Sequence, residues 1–238
     1  MPGSVIYEDA QVRIIELLGS GDEERIEAML ALYCQLFPVY SHYTERMRRR
    51  AALAPDAHPG HISHYWLVEF ETRPVGMCTF RFIKKRKCGI GIAFGLDESV
   101  RSVCVKDVRL SKFVISKIME QLAVDSQFMG VPDYWGLVTE VEHRELMEHY
   151  KRLGMYELPI EYFEPIFPPE DGQHSKTPLE PISFEPVILS ITPNSKIPFC
   201  EYNCDTLANF AKAFLVDHYG LSEDHEVVRL VLGSIYAC

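Results

Sequence analysis

Glu140 and Glu142 stand two residues apart in an extended, apolar-rich stretch, a spacing that puts both carboxylates on one face of a strand. His143 follows directly. Carboxylates that can take a proton, with an imidazole that can orient water or an acceptor, are the residue types of general acid–base chemistry. Each is equally able to be a solvated surface group, and His143 to be a helix-start residue. Further acids flank another short apolar run: Asp97 and Glu98 before it and Asp107 after it.

His58, His61 and His64 recur every third residue and raise the question of a metal. Pro59 and Gly60 leave the loop geometry undefined, and Asp56 is the sole nearby carboxylate, so no metal is assigned. Cys200 and Cys204 lack a second pair at zinc-finger spacing and read as packing residues. The other cysteines are scattered, unlike a disulfide framework, and Cys78 and Cys104 sit in apolar runs as buried small hydrophobes.

Charge is distributed unevenly. The formal net charge is -10, which argues against a nucleic-acid partner, because phosphate binding draws on positive surface. Residues 155–238 hold 4 Lys/Arg against 13 Asp/Glu, so nearly all of the excess lies there. Two basic clusters lie earlier, Arg46/Arg48/Arg49/Arg50 and Lys84-Lys85-Arg86-Lys87. They read as solvated helix and hairpin surface, or as a positive rim for an anionic ligand.

These residues need elements to hold them. Strand patterning marks 12–18, 65–70, 75–82, 89–94, a short buried strand over 102–105, then 134–139, 155–167 and 183–192. Helical spacing marks 26–37, 42–53, 110–122, 146–153, 205–218 and 223–235, with Asp22, Asp205 and Ser222 as candidate N-caps and Gly154 as a stop. A proline-rich connector runs from Pro165 to Pro186. The fold class expected is α+β, a mixed, mostly antiparallel central sheet interrupted and flanked by helices.

At this point the chain resembles the GNAT acetyltransferase superfamily. Its strand–polar residue–helix motif ending in Tyr-x-x-Leu-Gly-Phe is similar to Leu137–Met155, with Tyr150, Leu153, Gly154 and Met155 at the ending. His143 stands where asparagine is commonest, and Leu146 replaces a frequent alanine. The family's pyrophosphate loop, Arg/Gln-x-x-Gly-x-Gly/Ala, falls on Arg109–Val114; Arg109 matches, while Lys112 and Val114 fill the two small positions.

The resemblance implies acetyl-CoA or another acyl-CoA as cofactor, docked by Val103 and Val105 and by Arg109, Leu110, Ser111, Lys112, Phe113 and Val114. It implies N-acyl transfer to a primary amine, on a small molecule or a peptide, with Tyr150 as the acid that protonates the departing sulfur. Glu140, Glu142 and His143 are then the base-side candidates, and the segment of His58, His61 and His64 lines the acceptor side. The filled glycine positions raise a second expectation, a GNAT-shaped module without CoA catalysis that serves as a sensor or protein-interaction domain.

The acyltransferase domain is expected over 1–167. Residues 168–238 form an acidic extension, a strand with two helices, that caps the acceptor cleft or supports self-association as a homodimer. No signal peptide and no apolar run of about 20 residues is evident, so a cytoplasmic location without membrane insertion is expected. Nucleophile-elbow, Walker and dinucleotide fingerprints are absent, which leaves hydrolase, NTPase and dehydrogenase readings unsupported.

Overall fold

The computed structural model describes residues 4–168, 180–197 and 202–236. Cys200, Cys238 and the middle of the proline-rich connector lie outside them. The chain divides into two compact units, one running to Phe82 and taking Gly91–Glu120, the other taking Ile83–Ile90 and the chain from Gln121 onward.

The first unit opens with a strand that lacks a clear apolar alternation, β1 (Ser4–Glu8), paired antiparallel to β2 (Val12–Glu16). Then follow α1 (Glu23–Leu36), α2 (Thr44–Ala51), β3 (His61–Phe70), β4 (Arg73–Ile83) and β5 (Cys88–Leu96), with sheet order β1-β2-β3-β4-β5. Asp22 caps α1 as its type suggests, accepting from the amide of Arg25 at 3.2 Å. The helix expected over 42–53 is shorter: Pro38–Tyr43 forms a 3₁₀ segment before α2.

Strand alternation sorts the side chains of this sheet. Ile15, Leu17, Tyr65, Leu67 and Met77 face α1 and α2, whose Met29, Leu30, Met47 and Ala51 complete one buried cluster. The other face is polar at its centre. Glu16 is buried and accepts four hydrogen bonds, from the amides of Leu18 and Tyr65, from Nε1 of Trp66 and from Nδ1 of His64 at 2.6 Å. Satisfying every lone-pair direction is what makes a buried carboxylate tolerable. His64 is thereby a core histidine, stacked on Phe80 at 4.6 Å.

The expected buried strand over 102–105 is corrected. β6 (Cys104–Val105) pairs with β7 (Val108–Arg109) alone, in a two-stranded hairpin. Lys106 and Asp107 both adopt positive φ, 50° and 65°, the geometry of a two-residue hairpin turn that sends the chain straight back. Cys104 is consequently exposed rather than buried. α3 (Leu110–Phe128) follows without a break.

The second unit carries β8 (Gly136–Val141), α4 (Arg144–Lys151), β9 (Tyr156–Glu157), β10 (Tyr162–Ile166), β11 (Ser183–Pro193), α5 (Cys204–Leu215) and α6 (Glu226–Tyr236). β11 lies between β8 and β10, antiparallel to both, so a strand from beyond residue 168 becomes an interior strand of the sheet. Gly136 starts β8 at φ 148°, and a Cβ there would meet the Thr192 carbonyl oxygen at 2.3 Å. Only glycine allows β11 to approach so closely.

Two caps differ from expectation. Asn203, not Asp205, caps α5 by accepting from the amide of Thr206, and His225, not Ser222, accepts from the amide of Val227 at the start of α6. The second basic cluster is not uniformly solvated either. Arg86 is buried and donates through Nε to Asp217 at 2.5 Å and through a terminal nitrogen to Asn209 at 3.1 Å, tying the turn after β4 to the α5 region.

Candidate active site

α4 is short, and its two ends set its chemistry. His143 is the N-cap: its Nδ1 accepts the amide of Leu146 at 3.2 Å, and the ring is exposed. At the other end the Tyr150 carbonyl accepts the amides of Leu153 and Met155 at 2.9 and 3.2 Å, with Gly154 at φ 95°. Positive φ at this position lets the chain turn off the helix, the physical basis of the Leu-Gly ending.

Tyr150 is half-buried, and among the described residues its hydroxyl has no hydrogen-bond partner. Burial, then the nearby Glu142 carboxylate, pushes its pKa up to about 12. A phenol in that state keeps its proton at neutral pH and has it available to donate.

The two strand carboxylates part company. β8 ends at Val141, so Glu142 stands past the strand and exposed, and the expected shared strand face is not formed. Glu140 instead enters a tyrosine cage. Tyr162 donates to its Oε1 and Tyr219 to its Oε2, each at 2.6 Å, and the Tyr219 hydroxyl also lies 3.2 Å from Oε1 of Glu164. These three oxygen–oxygen contacts call for three protons, and two tyrosines supply two. A third proton on one carboxyl completes the set.

Consistent with that count, burial, then the Glu164 charge, raises Glu140 to a pKa of about 8. Both tyrosines are held well above the ordinary phenol value, by burial and then by Glu140. Glu164, Tyr162 and Tyr219 are site-class residues that sequence reasoning did not single out. The alternating aromatics of 155–167 were a signal for Tyr162; nothing local marked Tyr219, 79 residues from its partner.

In the first unit, the α3 start is open to an anion. The Leu110 amide is taken by the Val103 carbonyl at 2.8 Å, leaving the amides of Ser111 and Lys112 without a carbonyl acceptor inside the helix. Leu110, Phe113 and Val114 are buried, with Phe113 edge-on to Tyr7 at 4.8 Å, so their bulk is spent on packing. Arg109 and Lys112 are exposed, and Ser111 is half-buried. Val103 and the buried Val105 belong to the hairpin arm, not to a strand of the main sheet. Lys106 and Lys117 lie over the Tyr7 ring at 5.2 and 5.5 Å, adding cationic charge near this helix start.

Asp97 caps a short turn by accepting from Ser99, and Asp107 occupies the hairpin turn. Among the described residues, no three His, Cys, Asp or Glu side chains come together as a metal site, and no helix is long and apolar enough to cross a membrane.

No family model matches the chain, and neither does any curated protein. Solved structures do. A protein assigned to the GNAT acetyltransferases from Bacteroides thetaiotaomicron superposes with a TM-score of 0.52 at 16% identity, over 88% of this chain and 99% of that one. The ribosomal-protein-S18-alanine N-acetyltransferase of Escherichia coli follows at 0.49 and 11% identity, over 81% and 99%. The first likeness shows the fold: the α+β sheet with its flanking helices is the GNAT architecture.

Proposed function

We propose that the chain is an acyl-CoA-dependent N-acyltransferase, moving an acetyl group from acetyl-CoA to a primary amine on a small molecule or a peptide. The observation that carries this reading is the Tyr150 hydroxyl, protonated, half-buried and without a competing partner among the described residues. A hydroxyl of that kind, on the helix ending that resembles the family's, suits an acid that delivers its proton late in the reaction.

The helix start fits a phosphate-bearing cofactor. The two first-turn amides of Ser111 and Lys112, the dipole of a 19-residue helix and the exposed Arg109 and Lys112 are complementary to a pyrophosphate. Phe113 and Val114 are turned into the protein, so two of the large residues in the loop motif leave the amides uncovered. When bound, acyl-CoA supplies the activated thioester.

On the protein side, Tyr150 holds the proton to be donated, and the exposed Glu142, which raises its affinity for that proton, takes one from the amine or a water in this reading. Glu140 has both oxygens engaged, so its part is to store a proton and hold the tyrosines rather than to touch the acceptor. His143 acts as a helix cap that fixes the start of α4.

Calorimetry with acetyl-CoA tests the reading. Saturable binding that weakens by about tenfold or more in Arg109→Ala supports it, since a charge-assisted contact is worth roughly 1.5–3 kcal/mol. Absence of heat and of thermal stabilisation at millimolar ligand overturns it in favour of a GNAT-shaped module without the cofactor.

A further inference from the structure

We infer that Tyr219, Glu140 and Glu164 form a proton-operated latch: with one extra proton present it fastens the connection between α5 and α6 to strands β8 and β10, and when that proton leaves it lets the connection go. All three residues belong to the second unit. The latch does not depend on the acyl-transfer reading.

A phenol has one proton to donate. The Tyr219 hydroxyl lies 2.6 Å from Oε2 of Glu140 and 3.2 Å from Oε1 of Glu164, so it faces two carboxyl groups at once. With the extra proton on one carboxyl, that carboxyl donates to the phenol oxygen and Tyr219 donates to the other. Without it, both carboxylates compete for a single proton, and one is left against an oxygen lone pair. Glu140 has no spare oxygen to turn elsewhere, because Tyr162 donates to its Oε1 at 2.6 Å. Among the described residues it is paired with no cation.

The described surroundings are apolar or acidic, with one imidazole. β11 runs between the two strands and sets Leu189 opposite Glu140, Val187 opposite Tyr162 and Glu185 opposite Glu164, so the facing charge on that strand is a third carboxylate. The buried residues of α5 and α6 are apolar apart from Thr206. His218 lies beside Tyr219, ring centroids 4.8 Å apart. Asp217 is bound to Arg86, and Lys212 to Glu223. Burial and the Glu164 charge accordingly favour the protonated form of Glu140, which titrates at about 8. The amides of Tyr219, Gly220 and Leu221 bond back to the carbonyls of Phe214, Val216 and Leu215, so this turn is self-contained and its side-chain hydroxyl is what ties it to Glu140.

Amide hydrogen exchange of the full chain, followed by NMR across the pH range and corrected for intrinsic rates, tests the latch. The amides of Tyr219 and Leu221 report opening of the turn, and those of the β8–β11 ladder report the sheet. The closed turn keeps the extra proton up to about pH 8, whereas an exposed Glu140 keeps it only to about 4.5. Protection of Tyr219 and Leu221 should therefore fall by up to about tenfold per pH unit between those values and level off above 8. It should lie below that of the ladder throughout. Glu140→Gln stays neutral and can still donate to the Tyr219 oxygen, so its profile should be flat; His218→Gln should keep the slope.

Glu164→Gln, on the edge strand β10, keeps the test decisive if Glu140→Gln folds poorly. Removing the competing carboxylate should bring the levelling point below pH 8. An unchanged levelling point overturns the proposal, as does a slope that survives in Glu140→Gln. Equal protection of the turn and the ladder also overturns it, since the turn then has no opening of its own. Loss of the slope in His218→Gln does so too, by assigning the proton to the imidazole.

Discussion

The hydroxyl of Tyr219 donates to Oε2 of Glu140 at 2.6 Å, joining the segment beyond α5 to the end of strand β8. A carboxylate on an interior strand is thereby closed by a residue from the acidic end of the chain. The consequence is a proton kept where an exposed glutamate would have lost it.

Stability should therefore depend on pH with a definite sign. Glu140 titrates at about 8 when folded and near 4.5 when unfolded, so the native state binds the extra proton between those values. Its contribution is complete below about pH 4.5 and is lost as pH rises through about 8. Each unit of difference weighs about 1.4 kcal/mol. Melting temperature is expected to fall between pH 5 and 9, and in Glu140→Gln that slope should flatten. An unchanged slope in the variant would remove Glu140 as the linked group.

Tyr150→Phe removes one oxygen and no packing volume of consequence. Turnover with acetyl-CoA should drop roughly tenfold to a thousandfold, the range of general acid contributions, while cofactor affinity stays within about twofold. Steady-state kinetics beside calorimetry separates the two. An unaltered kcat excludes Tyr150 from the chemistry.

Arg86→Ala leaves Asp217 and Asn209 facing an empty, buried position. Breaking a buried pair on one side costs about 3–5 kcal/mol, because the remaining charge is left uncompensated. Urea denaturation should show a midpoint shift of that size. A loss under about 1 kcal/mol would mean that water reaches Asp217 freely.

Gly136→Ala sets a Cβ 2.3 Å from the Thr192 carbonyl oxygen at a φ that L-residues rarely adopt. The expected loss is about 1–3 kcal/mol from backbone strain, more if β11 must shift. Thermal unfolding of the variant checks it. Neutral behaviour would show that the β8–β11 approach is softer than the register implies.

Local readings held where local physics decides. The α1 cap at Asp22 and the positive-φ stop at Gly154 depend on backbone within a few residues, and both are legible in the residue types. So were the long amphipathic helices and the sheet-dominated middle of the chain. Where a turn overrode composition, the reading failed: Ser102–Val105 looks buried by its valines, yet the positive-φ pair Lys106-Asp107 folds it into a hairpin.

What the residues determined unaided was most of the order of strands and helices and the GNAT-like ending Tyr150–Met155. Tertiary structure alone decided the partners: that β11 inserts between β8 and β10, and that Tyr162 and Tyr219 close on Glu140. Periodicity specifies which side of an element is apolar, because that is set by the geometry of one helix or one strand. Which distant side chain arrives there depends on strand order and loop paths, and no local pattern encodes them.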